Sequence, residues 1–392
     1  MLARLLWLSV GTFVIGAEGF IVAGVLPQIT TDLGTTLAAG GQLVTAYALT
    51  YAIGSPVLAT AFGRAPRKPM LVGALVAFAI ANALAAFSSS FALLMAARVL
   101  LGLSAGLFIP TANAVAVQMV PPEMRGRAIA TVIGGMTVAV ALGAPIGTLI
   151  ATQTSWRVPF AVVAVVSLVA SLGLAVFMPG KLPVGAVSLR QRLALASEPL
   201  VLKTLLVTLF WAMATFTVFT FVAPLLAHVG VTGWQVSGAF FLFGAASAAG
   251  NAYGGVIVDR IGSARTLAVA LGTLAASLAA IAVTATFASG TAATVVVLAL
   301  MVVWGAAGWA FYPAQSSRLI EVAPAAPVVV LSLNSSALFF GQAGGAALGS
   351  FVQTAIPLTD LGLVGATSAL IALAVLFWSR RSVPRLAVAP AE

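Results

Sequence analysis

Long apolar stretches separated by short polar breaks recur along the whole chain, and twelve are read near 5–27, 41–62, 69–88, 91–119, 127–151, 158–178, 202–228, 235–257, 265–288, 292–316, 327–352 and 361–379. A helix of about 20 residues, rising 1.5 Å per residue, crosses a hydrocarbon core about 30 Å thick, and each run is of that order. None alternates polar and apolar positions as a membrane β-strand must, which rejects a barrel. The pattern predicts an all-α polytopic membrane protein with twelve transmembrane helices.

Composition agrees. Hydrophobic residues make up 61% of the 392 and charged residues only 7%, with a mean hydropathy of +1.15. A soluble domain carries about 25% charged residues. There is no cysteine and one histidine, His228, so disulfides and thiolate metal sites are excluded and histidine-based metal or catalytic centres are disfavoured. No metal and no resident cofactor are expected. The run after Arg4 has the look of a signal peptide, but its length and the spans that follow make it an uncleaved first span.

The net charge of +10 suggests nucleic acid until its distribution is read. With the N-terminus inside, the inner segments hold Arg4; Arg64, Arg67 and Lys68; Arg125 and Arg127; Lys181, Arg190, Arg192 and Lys203; Arg260 and Arg265; Arg318; and Arg380, Arg381 and Arg385. That is sixteen of eighteen basic residues; Arg157 remains outside and Arg98 lies within a span. The asymmetry is the positive-inside signal, so both termini are expected in the cytoplasm, nucleic acid is not expected, and the lipid bilayer is the partner of these charges.

The longest interior break, 179–201, divides the spans six and six. Gly102, Pro110 and Pro121 recur as Gly305, Pro313 and Pro324, each offset by 203, and "GAPIGT" at 143–148 recurs as "GAALGS" at 345–350. A duplication in one orientation predicts two pseudo-symmetric six-helix bundles with the substrate site in the cleft between them. The expected division is a bundle at 1–178, a cytoplasmic linker at 179–201, a second bundle at 202–379 and a cytoplasmic tail at 380–392. Pro110 and Pro313 are expected to bend their spans.

These motifs resemble the major facilitator superfamily, and within it the twelve-helix drug:proton antiporters of the sugar-efflux and chloramphenicol-resistance branch. The family's loop signature after the second span, Gly-x-x-x-Asp-Arg-x-Gly-Arg-Lys/Arg, is degenerate here: Ala59, Gly63 and Pro66 replace its first Gly, Asp and second Gly, while Arg64, Arg67 and Lys68 remain. The copy after the eighth span keeps Gly255, Asp259, Arg260 and Gly262, with Arg265 beyond. The resemblance implies that these loops latch helices during a conformational switch, the second copy carrying the latch where the first lacks its Asp. Span 4 shows Arg98 and Gly102 at the family's Arg-x-x-x-Gly, and span 5 shows the antiporter signature in variant form as Gly135, Gly143, Pro145 and Gly147. The same glycines, like Gly341, Gly345 and Gly349, also fit close helix packing.

Two ionisable residues lie well inside spans, Glu18 and Arg98. Glu18 has no charged neighbour for thirteen residues on either side. Such residues usually face a bundle interior or aqueous path. The second half has no matching pair: Met301 stands 203 residues after Arg98, and Thr215–Val218 opposite Glu18 holds no acid. A charge needed merely to build a bundle should recur. Glu18 is therefore read as a proton- or cation-binding carboxylate with Arg98 as partner, against the alternatives of a structural hydrogen bond for Glu18 and a tether to backbone carbonyls for Arg98. Gln42, Tyr47, Tyr51, Asn113, Trp211, Phe216, Tyr312, Gln315, Asn334, Phe340 and Gln342 are the candidate cavity residues, a mixture suited to an amphipathic small molecule.

The resemblance implies proton-coupled efflux by alternating access, driven by the proton gradient and performed by a monomer in a bacterial inner membrane. Sugar or metabolite efflux is the alternative within transport, and a non-transporting membrane receptor or assembly factor the alternative outside it. An enzyme is disfavoured by the single histidine and the lack of clustered carboxylates.

Overall fold

The computed structural model describes residues 2–121, 124–180 and 189–381, and these are helical with no strand among them. Seven helical segments precede the linker: α1 (Leu2–Asp32), α2 (Leu37–Ala61), α3 (Arg67–Ala86), α4 (Phe91–Gln118), α5 (Arg125–Val138), α6 (Ala144–Gln153) and α7 (Arg157–Phe177). One, α8 (Leu189–Ser197), lies within it, and seven begin at or beyond its end: α9 (Pro199–Phe219), α10 (Val222–His228), α11 (Trp234–Ile261), α12 (Ser263–Phe287), α13 (Gly290–Val322), α14 (Pro327–Val352) and α15 (Leu361–Arg381). The breaks carry their own signals. Thr36 and Ser90 cap α2 and α4 by accepting from Ala39 N and Leu93 N. Gly262, at φ +82°, makes the turn between α11 and α12 in a conformation that a side chain would strain.

Eleven helical stretches among the described residues are long and apolar enough to cross a membrane. The stretch 327–352, read from sequence as a span, is one continuous helix, α14. It packs against α2 and α9 inside the molecule. Three expectations change. Span 5 is α5 and α6 joined by a π-turn at Ala139–Gly143, in which Ala144 N–H bonds back to Ala139 O. Pro145 follows it without an N–H, so the wider turn keeps the helix in register past the proline. Span 7 breaks at Thr220–Phe221, where Pro224 leaves the Thr220 carbonyl without its usual donor. The 179–201 break contains a helix, α8; its residues 181–188, like the tail 382–392, lie outside the described residues. Pro110 and Pro313 sit inside continuous helices.

Buried apolar side chains gather in two large clusters. One draws on residues 5–178 with Ala346 as its only member from later in the chain; the other draws on 207–376 with Ala23 and Ala144. At the α1–α2 end the two meet through Leu26, Phe221 and Leu361. There a side chain on Gly41 would run into Ser350 and Phe221. Beside the π-turn, one on Gly244 would run into the Val140 and Ala141 backbone.

Candidate functional site

The centre of the site is an ion pair. Glu18, midway along α1, accepts a hydrogen bond from Arg98 Nη1, near the start of α4, and both residues are 0% exposed. Arg98 Nε also donates to the Leu43 carbonyl on α2 at 3.0 Å, and the guanidinium lies 4.6 Å from the centre of the Tyr47 ring. Arg98 thus holds a carboxylate, a backbone carbonyl and an aromatic face, so the pairing and tether readings are both realised. Glu18 Oε2 and Arg98 Nη2 have no hydrogen-bond partner among the described residues. An unpaired buried polar atom is costly, and here each partner of the pair keeps one open valence.

Close helix approach makes this geometry possible. A side chain on Gly102 would strike the Tyr47 carbonyl, so α4 lies directly on α2 just beyond Arg98. Gly135 sits against the Ser9 backbone, Gly143 against Ala17 and Gly147 against Ile21. Pro145 is also buried. The antiporter-signature glycines therefore clamp α5 and α6 onto α1 around Glu18.

Helix phase then gives α1 two faces. Phe20, two residues beyond Glu18 and some 200° around the helix at about 100° per residue, points away from Arg98. It packs on Phe216 at 6.3 Å, Phe219 at 5.5 Å and Trp309 at 6.4 Å between ring centres. Trp309 stacks on Tyr312, and Tyr312 meets Trp211 edge-on. From the other side Tyr51 stacks on Phe339 at 3.6 Å, and Tyr47 approaches the same ring at 6.4 Å. Aromatic rings from α1, α2, α9, α13 and α14 thus line the seam between the halves.

The expected cavity residues fall into three groups. Tyr47, Tyr51, Trp211, Phe216 and Tyr312 belong to this aromatic seam. Gln315 and Asn334 belong to a polar chain: Gln315 Nε2 donates to Thr204 O and Thr208 Oγ1, both at 2.7 Å, and Thr208 Oγ1 donates to Asn334 Oδ1 at 2.6 Å. Gln315 Oε1, Trp211 Nε1 and Asn113 Oδ1 have no partner among the described residues. Gln42 is half-buried and Gln342 buried, and neither makes a side-chain hydrogen bond with a described residue. Phe340 is a correction: it is 42% exposed, and its neighbour Phe339, a helical step of about 100° away, is the ring in the seam. Phe20, Thr208, Trp309 and Phe339 were not singled out from sequence. Phe20 carried a usable signal in its spacing from Glu18; two adjacent phenylalanines carried none.

The loop residues are placed unevenly. Arg64 is exposed. Arg67 is buried and donates to Gly63 O, while Lys68 Nζ donates to Met178 O at 2.9 Å, tying the α2–α3 turn to the end of α7. Asp259, Arg260 and Arg265 are exposed and form no ion pair with a described residue. The acid that ties the α11–α12 turn in this state is Glu321, which accepts from Ser263 Oγ at 3.0 Å and Arg318 Nη1 at 3.3 Å. At the α1–α2 end, Arg157 Nη1 and Trp156 Nε1 both donate to Asp32 Oδ2, joining α7 to α1.

Comparison with known proteins agrees with this architecture. The family model "Major Facilitator Superfamily" matches residues 8–346. A chloramphenicol resistance protein of Streptomyces lividans is 34% identical over 375 residues, covering 93% of this chain and 94% of that protein. The uncharacterized MFS-type transporter YbcL of Bacillus subtilis (strain 168) is 31% identical over 382 residues, covering 97% and 96%. The crystal structure of a bacterial homologue of the human lysosomal transporter Spinster, inward-facing and occupied, aligns with a TM-score of 0.76 over 99% of this chain and 98% of that one; at 16% identity it speaks to the fold alone. A multi-pass helical chain with its polar groups gathered along the seam between two cores, matched by that family model over most of its length, belongs to the Major Facilitator Superfamily.

Proposed function

We propose that this transporter exports small amphipathic molecules in exchange for protons, by alternating access at the seam between its halves. The observation that carries the reading is the buried Glu18–Arg98 pair with one open atom on each partner. A cation beside a carboxylate favours its charged form, and a dry site without one favours the protonated form. Both side chains belong to the first half, so a shift of α1 against α4 that accompanies the rocking of the halves would switch the carboxyl between proton uptake and release. Substrate meeting the aromatic seam, two residues along α1, would compete with the proton. The aromatic walls and few polar groups suit an amphipathic molecule better than a sugar, and a chloramphenicol resistance protein is among the relatives. A monomer with both termini in the cytoplasm fits this reading, with the proton gradient as the only energy source and no resident cofactor.

The test is flux in proteoliposomes under an imposed pH gradient, with chloramphenicol and a neutral sugar as candidate substrates. Gradient-driven movement of chloramphenicol by the wild type, abolished by Glu18→Gln, is expected. Equal gradient-driven flux in both proteins would remove Glu18 from coupling, and sugar flux alone would replace the drug reading.

A further inference from the structure

Arg260 closes α11 and Arg265 opens α12, and neither forms an ion pair or a side-chain hydrogen bond with a described residue. A groove of about 300 Å³ lies between α11, α12 and α13, with walls that include Gly250, Tyr253, Ile257, Val269, Thr273 and Ala306, and each arginine stands one helical turn beyond it, Arg260 from Ile257 and Arg265 from Val269. Tyr253 and Val269 are 68% and 62% exposed, so the groove opens outward, to lipid in a membrane. Its floor is formed where α11 lies directly on α13, because a side chain on Gly250 would strike the Ala306 backbone.

Helix phase links the groove to the arginines. Gly250, Tyr253, Ile257 and Arg260 are spaced i, i+3, i+7 and i+10 along one stripe of α11, and Arg265, Val269 and Thr273 are spaced i, i+4 and i+8 along one stripe of α12. Both stripes that wall the groove therefore end in an arginine, at the same end. Asp259 falls on the neighbouring stripe with Ala252 and Val256, beside the groove rather than over it, and Glu321 is engaged with Ser263 and Arg318. Arginines at the end of a membrane helix reach for the interface and its anions.

We propose that this groove holds an acyl chain of an anionic phospholipid, with the headgroup phosphate between Arg260 and Arg265. The apolar walls select a chain, the two arginines select net negative charge, and the adjacent Asp259 makes the site depend on both of them. A bound lipid would brace the α11–α12 turn against α13.

Native mass spectrometry of the full-length protein in a delipidating detergent tests this. Phosphatidylglycerol, phosphatidylcholine with matched chains, and glycerol 3-phosphate are added in turn. Phosphatidylglycerol should be retained in preference to phosphatidylcholine. The Arg260→Gln/Arg265→Gln variant should lose that retention roughly thirtyfold, the scale of two arginines at an anionic surface. Ala249→Phe, which fills the groove from an exposed position, should lose it as well, whereas Arg127→Gln, an exposed arginine on the first half, should keep it. Equal retention of the two lipids, unchanged retention in the double arginine variant, or displacement of the lipid by glycerol 3-phosphate at matched concentration would each overturn the proposal.

Discussion

Glu18 and Arg98 lie 80 residues apart in the chain and meet as a fully buried ion pair, each with one polar atom left unsatisfied. Removing one member of such a pair leaves an uncompensated buried charge, at a cost of about 3–5 kcal/mol. Arg98→Ala should therefore lower the thermal stability of the detergent-purified protein strongly, and adding Glu18→Gln to it should restore part of the loss. Strictly additive losses would mean that the two side chains do not sense each other.

Helix approach at Gly102 sets the position of Arg98 against α2. Gly102→Ala would drive a methyl group into the Tyr47 carbonyl, and overpacking of this kind costs about 1–3 kcal/mol. Gly73→Ala, mid-helix in α3 with nothing within 4 Å, should instead stabilise, by about 0.5–1 kcal/mol. Thermal unfolding of the two variants side by side measures the difference.

Phe339 and Phe340 separate the seam from the surface. Phe339 stacks on Tyr51 and faces Tyr47, and aromatic pairing of this kind contributes about 0.5–1.5 kcal/mol. Phe339→Ala is expected to raise the transport KM by roughly two- to tenfold, on that scale. Phe340→Ala, at an exposed position, should leave KM unchanged. Concentration-dependent uptake into vesicles decides between them.

Glu321 replaces Asp259 as the acid that ties the α11–α12 turn in this state. Glu321→Gln should weaken the contacts to Ser263 and Arg318, and amide hydrogen exchange at Ser263–Leu267 should rise several-fold. Asp259→Asn should leave exchange in that segment unchanged.

Much of this architecture was legible in the sequence because lipid imposes a simple rule: a helix must be apolar over its full crossing. The rule passed over the break at Thr220–Phe221, because a short interruption leaves mean hydropathy high. Glu18 and Arg98 were legible as charges with no reason to be in a membrane, and Gly102, Gly135 and Gly143 as places of close approach. The aromatic seam was only half legible. Trp211 and Tyr312 could be named, but the phase that puts Phe339 inward and Phe340 outward is set by how α14 packs on α2 and α9. Glu321 was missed because its partners, Ser263 and Arg318, become neighbours only once α12 and α13 pack.

The central claim is that Glu18 exchanges a proton for substrate, and proton release on substrate binding tests it most directly. Weakly buffered, detergent-purified protein is mixed with a substrate identified by the flux assay while a pH-sensitive dye reports free protons. Wild type should release close to one proton per substrate bound, by the linkage between the two ligands, and Glu18→Gln should bind substrate and release none. Equal release from both proteins would contradict the account.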